Sequence, residues 1–144
     1  MSQRTPLVAF CAFFNKLDKS CTEKLYTVYT QDVTFIDPLH RIDGCRALEG
    51  YFAALYDNVR YCRFTYHEAR QDGDIAFVTW TMHFAHSRLA GGRDISVDGC
   101  TRLQFAADGR VSQQRDYFDA GAMLYENVPL LGRVIRFLKR RASG

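Results

Sequence analysis

The apolar positions change period along the chain, and the change divides it in two. From Pro6 to Tyr29 they recur every three or four residues. Val8, Phe10, Cys11, Phe14 and Leu17 take one side of a helix, and Leu25, Val28 and Tyr29 continue a second piece after a break at Asp18-Lys19-Ser20. Val33, Phe35 and Asp37 alternate with Thr34 and Ile36, which predicts a short strand ended by Pro38. Asp43-Gly44 marks a turn. Ala47 to Val59 is helical again, with Leu48, Tyr51, Phe52, Leu55, Tyr56 and Val59 on one face.

Beyond that point the period is two. Arg63 to Arg70 alternates and meets the hairpin signal Asp72-Gly73. Ile75 to His86 is rich in strand formers, and Leu89 to Gly92 reads as a loop. Asp94 to Phe105 and Arg110 to Asp119 are further strands, joined by a turn at Asp108-Gly109. Asn127 is placed to cap a last helix with Pro129 in its first turn. Helices gathered ahead of an antiparallel sheet predict the α+β class. A strongly curved sheet wrapped on a helix leaves a pocket at its open end, the usual place for a ligand.

Length and composition fit one domain over 1–144, with a core at about 8–124 and a basic amphipathic helix at about 128–141. Of the 144 residues 47% are hydrophobic and 14% aromatic, enough for a sizeable core. The net charge of +3 is local. Arg133, Arg136, Lys139, Arg140 and Arg141 account for five of 19 basic residues, which leaves 14 against 16 acidic ones. A body so near neutral does not predict nucleic-acid binding. The first apolar run is too short and too poorly flanked for a signal peptide, and no stretch has the length to span a membrane. The five cysteines, Cys11, Cys21, Cys45, Cys62 and Cys100, lack CxxC spacing, so reduced thiols in a cytoplasmic protein are expected. Cys45 precedes a helix, which favours its thiolate slightly. No cofactor is expected.

Several polar residues have two readings. Asp37 is either a general acid or base, or the end of a strand whose carboxylate bonds a turn amide. His40, three residues on, can pair with it or stay in solvent. Gln114, Asp116 and Phe118 share one face of the last strand, opposite Arg115 and Tyr117. His83 and His86 fall on opposite faces of their strand and cannot easily share a metal. His67 belongs to a polar strand and is expected in solvent.

The segments YTQDVTFIDP, DGCRALEGYFAALY and DGRVSQQRDYFD, in that order between two helices and a meander, resemble the nuclear-transport-factor-2-like superfamily. The nearest branches are the SnoaL-like and ketosteroid-isomerase-like ones, and the likeness covers about Phe10 to Leu124. It implies a cone, three helices in the concave face of a curved mixed or antiparallel sheet, and a homodimer. It places Asp37 where ketosteroid isomerases carry a proton-shuttling Asp. Phe13 then stands at the position of an oxyanion-binding Tyr and Thr101 at that of a protonated Asp. Phe13 has no proton to donate, which argues against steroid isomerisation. SnoaL-like cyclases use a strand Asp, which nominates Asp116. Epoxide-hydrolase-like members use an Asp–Arg–Asp set, yet alternation turns Arg115 away from Asp116.

The expected function is binding of a small hydrophobic molecule, with cofactor-free isomerase, cyclase or dehydratase chemistry by Asp37, His40 and Asp116. The expected pocket residues are Phe13, Phe35, Tyr51, Trp80, Phe84, Thr101, Gln114 and Phe118. The alternative is a non-catalytic binding or interaction module. In the last helix Val128, Leu131, Val134, Ile135 and Leu138 form an apolar stripe opposite Arg133, Arg136 and Arg140. That stripe is expected to pack on its own domain or a second subunit, with a membrane surface as the alternative.

Overall fold

The computed structural model describes residues 5–16, 24–57, 59–123 and 129–143. Leu17, the break at Asp18-Lys19-Ser20, Cys21, Asn127 and Val128 lie outside the described residues. Helix α1 (Pro6–Lys16) is followed by a 3-10 turn over residues 24–27, then by strands β1 (Tyr29–Ile36) and β2 (Arg41–Asp43). Helix α2 (Cys45–Asp57) precedes four strands: β3 (Val59–Asp72), β4 (Ile75–His86), β5 (Asp94–Phe105) and β6 (Val111–Phe118). Two helices close the chain, α3 (Ala120–Met123) and α4 (Pro129–Ala142). The class is α+β, as the change of period predicts.

One six-stranded sheet holds the strands in the order β2-β1-β6-β5-β4-β3. All neighbours are antiparallel except β1 and β6, which run parallel with Ile36 opposite Arg115. A bulge in β3 places one extra residue between the pairs Tyr66–Trp80 and Ala69–Val78. Such an insertion bends and twists the strand. Helices α1 and α2 lie on the sheet and bury Leu7, Phe10, Phe14, Leu48 and Phe52 against Val33, Phe35, Val78, Trp80 and Leu103.

Several boundaries differ from the sequence reading. Tyr29 opens β1 and is no part of a helix. Its bulk and the β-branched run after it suit a pleated surface better than the helical spacing of Leu25 and Val28 suggests. Strand β3 begins at Val59, where a helix end was expected, because α2 stops at Asp57. Strand β2 and helix α3 were not anticipated; at three and four residues neither is long enough to show a period.

Gly99 lies under the indole of Trp80. A Cβ there would meet three ring carbons at 2.3, 2.4 and 2.7 Å. The ring is buried and cannot swing into solvent. Gly99→Ala is therefore expected to destabilise by about 2 kcal/mol through overpacking, lowering Tm by roughly 5–10 °C. Gly50→Ala, on the exposed side of α2 with nothing within 4 Å, should instead stabilise by up to about 1 kcal/mol. Thermal unfolding of the two variants checks the pair; equal effects would show that the indole does not need the bare backbone.

Candidate functional site

Between α1, α2 and the concave face of the sheet lies a cavity of about 420 Å³. Its walls are mostly apolar, among them Phe10, Phe14, Phe52, Phe64, Trp80 and Phe84. Two groups of polar atoms break the apolar lining, and each grows from a local feature of the chain.

The first group forms where β1 ends. Pro38 cannot continue the ladder, and the chain turns, with the Asp37 N–H donating to the His40 carbonyl at 3.0 Å. The Asp37 side chain is 5% exposed, and its Oδ1 accepts from the backbone N–H of Leu39 at 2.8 Å and of His40 at 2.7 Å. The His40 Nδ1 lies 3.2 Å from the same oxygen. The other oxygen, Oδ2, accepts from the Tyr51 hydroxyl, which donates from α2 at 3.3 Å. Tyr51 also lies 3.4 Å from His40 Nδ1. Burial, then the charge and hydrogen bond of Asp37, push the Tyr51 phenol well above its ordinary range. It is a neutral O–H donor at any physiological pH. The turn reading of Asp37 therefore holds, since one oxygen accepts from the turn's amides, and the residue also lines the cavity.

The second group sits on the sheet. Asp116 and Gln114 point inward from β6, and Thr101 lies opposite Asp116 on β5. The Trp80 Nε1–H donates to Thr101 Oγ1 at 2.8 Å, and Thr101 donates to Asp116 Oδ1 at 2.7 Å. Tyr29 donates its hydroxyl proton to Gln114 Oε1, and Gln114 Nε2 donates to the same Oδ1 at 2.9 Å. An indole nitrogen can only donate, so the Thr101 proton is directed at the carboxyl. The amide of Gln114 is oriented in the same way by Tyr29. Two one-way chains thus end on one oxygen and leave Oδ2 of Asp116 to the cavity. Burial raises the Asp116 carboxyl from its ordinary value to about 6; the two hydrogen bonds oppose this, and the charge of Asp37 adds to it.

Comparisons with known proteins give the family and the fold. The model of the SnoaL-like domain matches residues 8–114. The chain belongs to the SnoaL-like domain family. No curated protein sequence matches it. Among solved structures it is similar to a protein of Catenulispora acidiphila with a ketosteroid isomerase-like fold, in complex with trimethylamine. That likeness has a TM-score of 0.72 at 16% identity over 88% of this chain and 94% of the other. It is also similar to an LEH-like epoxide hydrolase of M. tuberculosis, with a TM-score of 0.69 at 21% identity over 90% and 94% of the two chains. A third is TerC, co-crystallised with polyporic acid, with a TM-score of 0.68 at 20% identity over 82% and 92%. At such identities these likenesses show the nuclear-transport-factor-2-like cone and nothing finer.

On this SnoaL-like frame, Asp37, His40, Asp116, Phe35, Tyr51, Trp80, Phe84, Thr101, Gln114 and Phe118 all line the cavity. Phe13 does not. Helical period gives the inward places to Phe10 and Phe14, and Phe13 packs at their flank. Thr101 is indeed a donor to a carboxyl, not a stand-in for one. Arg115 is exposed on the outer face, 5.0 Å over the Tyr117 ring, and no arginine of the described residues lines the cavity. Cys45 is fully buried, and burial together with Glu49 raises its thiol; the expected tilt toward thiolate at the start of α2 is overridden. Among the described residues no three His, Cys, Asp or Glu side chains are grouped to hold a metal ion. His83 bonds Ser96 on the outer face, and His67 bonds Thr81.

Sequence reasoning missed Tyr29, Tyr66 and His86. Tyr29 is fully buried beneath the site, Tyr66 lines the wall, and His86 lines the far end of β4, where its Nδ1 accepts the Arg88 N–H at 3.0 Å. The alternation Tyr29, Val33, Phe35 within a strand-forming run was the available signal for the first.

The folded chain holds the Asp116 proton more tightly than the unfolded one. The cost of ionising it is absent below about pH 4 and complete above about pH 6, the value to which the carboxyl is raised. Asp116→Asn keeps an acceptor for Thr101 and Gln114 and removes that cost. It is expected to be more stable than the parent above pH 6, by about 2 kcal/mol once cavity water is allowed for. The gain should vanish toward pH 4. Urea unfolding across that range checks the sign; a constant difference would mean that Asp116 does not titrate there.

Proposed function

We propose that the cavity binds a small apolar molecule bearing a carbonyl or similar oxygen, and that Asp116 moves a proton on it without a cofactor. The observation that supports this best is the convergence of both donor chains on Asp116 Oδ1, with Oδ2 turned to the ligand space and the carboxyl poised near neutrality. A base working near pH 7 is most effective when its own pKa lies close by. In its ionised form Asp116 takes a proton from carbon beside the oxygen, and in its neutral form returns it from Oδ2 to a second position. The Tyr51 phenol, kept neutral, turns its one proton from Asp37 Oδ2 to the oxygen on which charge develops. Asp37 and His40 hold Tyr51 and offer a second proton relay. This chemistry covers isomerisation, cyclisation and dehydration alike. The cavity volume of about 420 Å³ suits a ligand of one or two rings.

A purely binding role for the same cavity is the second reading. It is favoured by the long contacts of Tyr51, 3.3 and 3.4 Å, which leave the oxygen site loosely built.

Small ketones and epoxides incubated with the protein in deuterated water separate the two. Proton chemistry predicts deuterium uptake beside the carbonyl, followed by NMR, with a pH profile that bends near 6. Asp116→Asn should bind the same compound and lose exchange by at least about a hundredfold. A ligand that binds, returns undeuterated and keeps its affinity in Asp116→Ala would establish the binding role.

A further inference from the structure

Helix α4 joins the body along one edge only. Gly132 is buried, Ile135 is half-buried beside Gly121, and Lys139 Nζ meets Asp119 Oδ2 at 2.6 Å. Four apolar residues of the helix turn away. Leu131, Val134, Phe137 and Leu138 are exposed by 41%, 47%, 53% and 54%. Their spacing lays them in one continuous stripe along the helix. Of the stripe expected to pack on the domain or a second subunit, Ile135 is the one described residue packed on the domain.

Charge decides what kind of surface fits the stripe. Arg133, Arg136, Arg140 and Arg141 are exposed on the same helix, and residues 130–144 contain no acid. On a helical wheel Arg133 and Arg140 border the stripe on the side of Phe137, and Arg141 lies at its end. Two copies packed stripe to stripe about a two-fold axis would bring arginines against arginines with no acid of the helix to offset them. An anionic headgroup layer meets both demands, since apolar side chains enter the acyl boundary while arginine stems lie along it with their heads in the phosphates. At 14 residues the helix is too short to cross a bilayer, and no helix of the described residues is long and apolar enough to do so. It would therefore lie along the surface.

We infer that α4 docks the protein on an anionic lipid surface. The docked helix carries the cavity with it, because α4 is tied to Asp119, and Met123, four residues on, lines the cavity wall.

Flotation of the full chain with vesicles tests this. Vesicles of phosphatidylcholine mixed with phosphatidylglycerol should carry the protein up the gradient, and pure phosphatidylcholine should not. Added salt should weaken the binding. The triple variant Arg133→Gln/Arg140→Gln/Arg141→Gln should lose roughly a hundredfold in affinity, about fivefold for each charge. Phe137→Asn/Leu138→Asn should lose it too, with charge unchanged and with far-UV circular dichroism and melting temperature like the parent. No binding to the mixed vesicles at low salt overturns the proposal, and so does binding indifferent to the Phe137/Leu138 change. A dimer in the ultracentrifuge that becomes monomeric in Phe137→Asn, with vesicles ignored by both, would assign the stripe to a second copy instead.

Discussion

Strand β1 lies parallel to β6 with Ile36 opposite Arg115, and one residue further on stand Asp37, just past the end of β1, and Asp116 within β6. A parallel pair cannot be closed by a hairpin. The chain has to travel away from β1 and come back beside it, and it does so through β2, α2 and three further strands of the same sheet. That detour lays α2 over the sheet and brings Tyr51 down onto Asp37. The same detour makes the meander whose two middle strands supply Trp80 and Thr101. Pocket and polar groups are in this sense products of one pairing.

The two acids are held in different ways. Asp37 accepts from backbone amides of its own turn, which would form in any chain with Asp-Pro at this place. Asp116 depends on side chains from three other strands, Tyr29, Trp80 and Thr101, and on Gln114 beside it. A carboxyl fixed by local amides is rigid and well solvated by dipoles. One fixed by long-range partners in an apolar wall has its protonation set by tertiary structure. That difference is why the proposed chemistry rests on the second acid and not on the more conspicuous first.

Much of this was legible in the chain. Period two divided the last strands into two faces, because a strand with one buried face must alternate, and the family resemblance, not the period, pointed Trp80, Thr101 and Asp116 to the cavity that they line. Asp72-Gly73 and Asp108-Gly109 located the hairpins through their backbone chemistry. What could not be read was set by contacts between distant segments. No local pattern says that Tyr29 orients Gln114, 85 residues away. None says that Phe13 would lose the cavity to Phe10 and Phe14, which depends on how α1 is rolled against the sheet. The bulge in β3 falls within an alternation that looked regular, since a bulge adds one residue without altering composition.

Trp80 is the one tryptophan among the 144 residues, and it lines the cavity with its ring wedged over Gly99 and its nitrogen bonded to Thr101. All indole fluorescence of the molecule therefore arises at a single wall of the cavity, two hydrogen bonds from Asp116 Oδ1. Emission colour and quenching become a local meter of polarity at that wall, free of background from elsewhere in the chain. A compound need not be a substrate, nor absorb light itself, to be seen entering: the protein carries its own indicator at the place where occupancy matters.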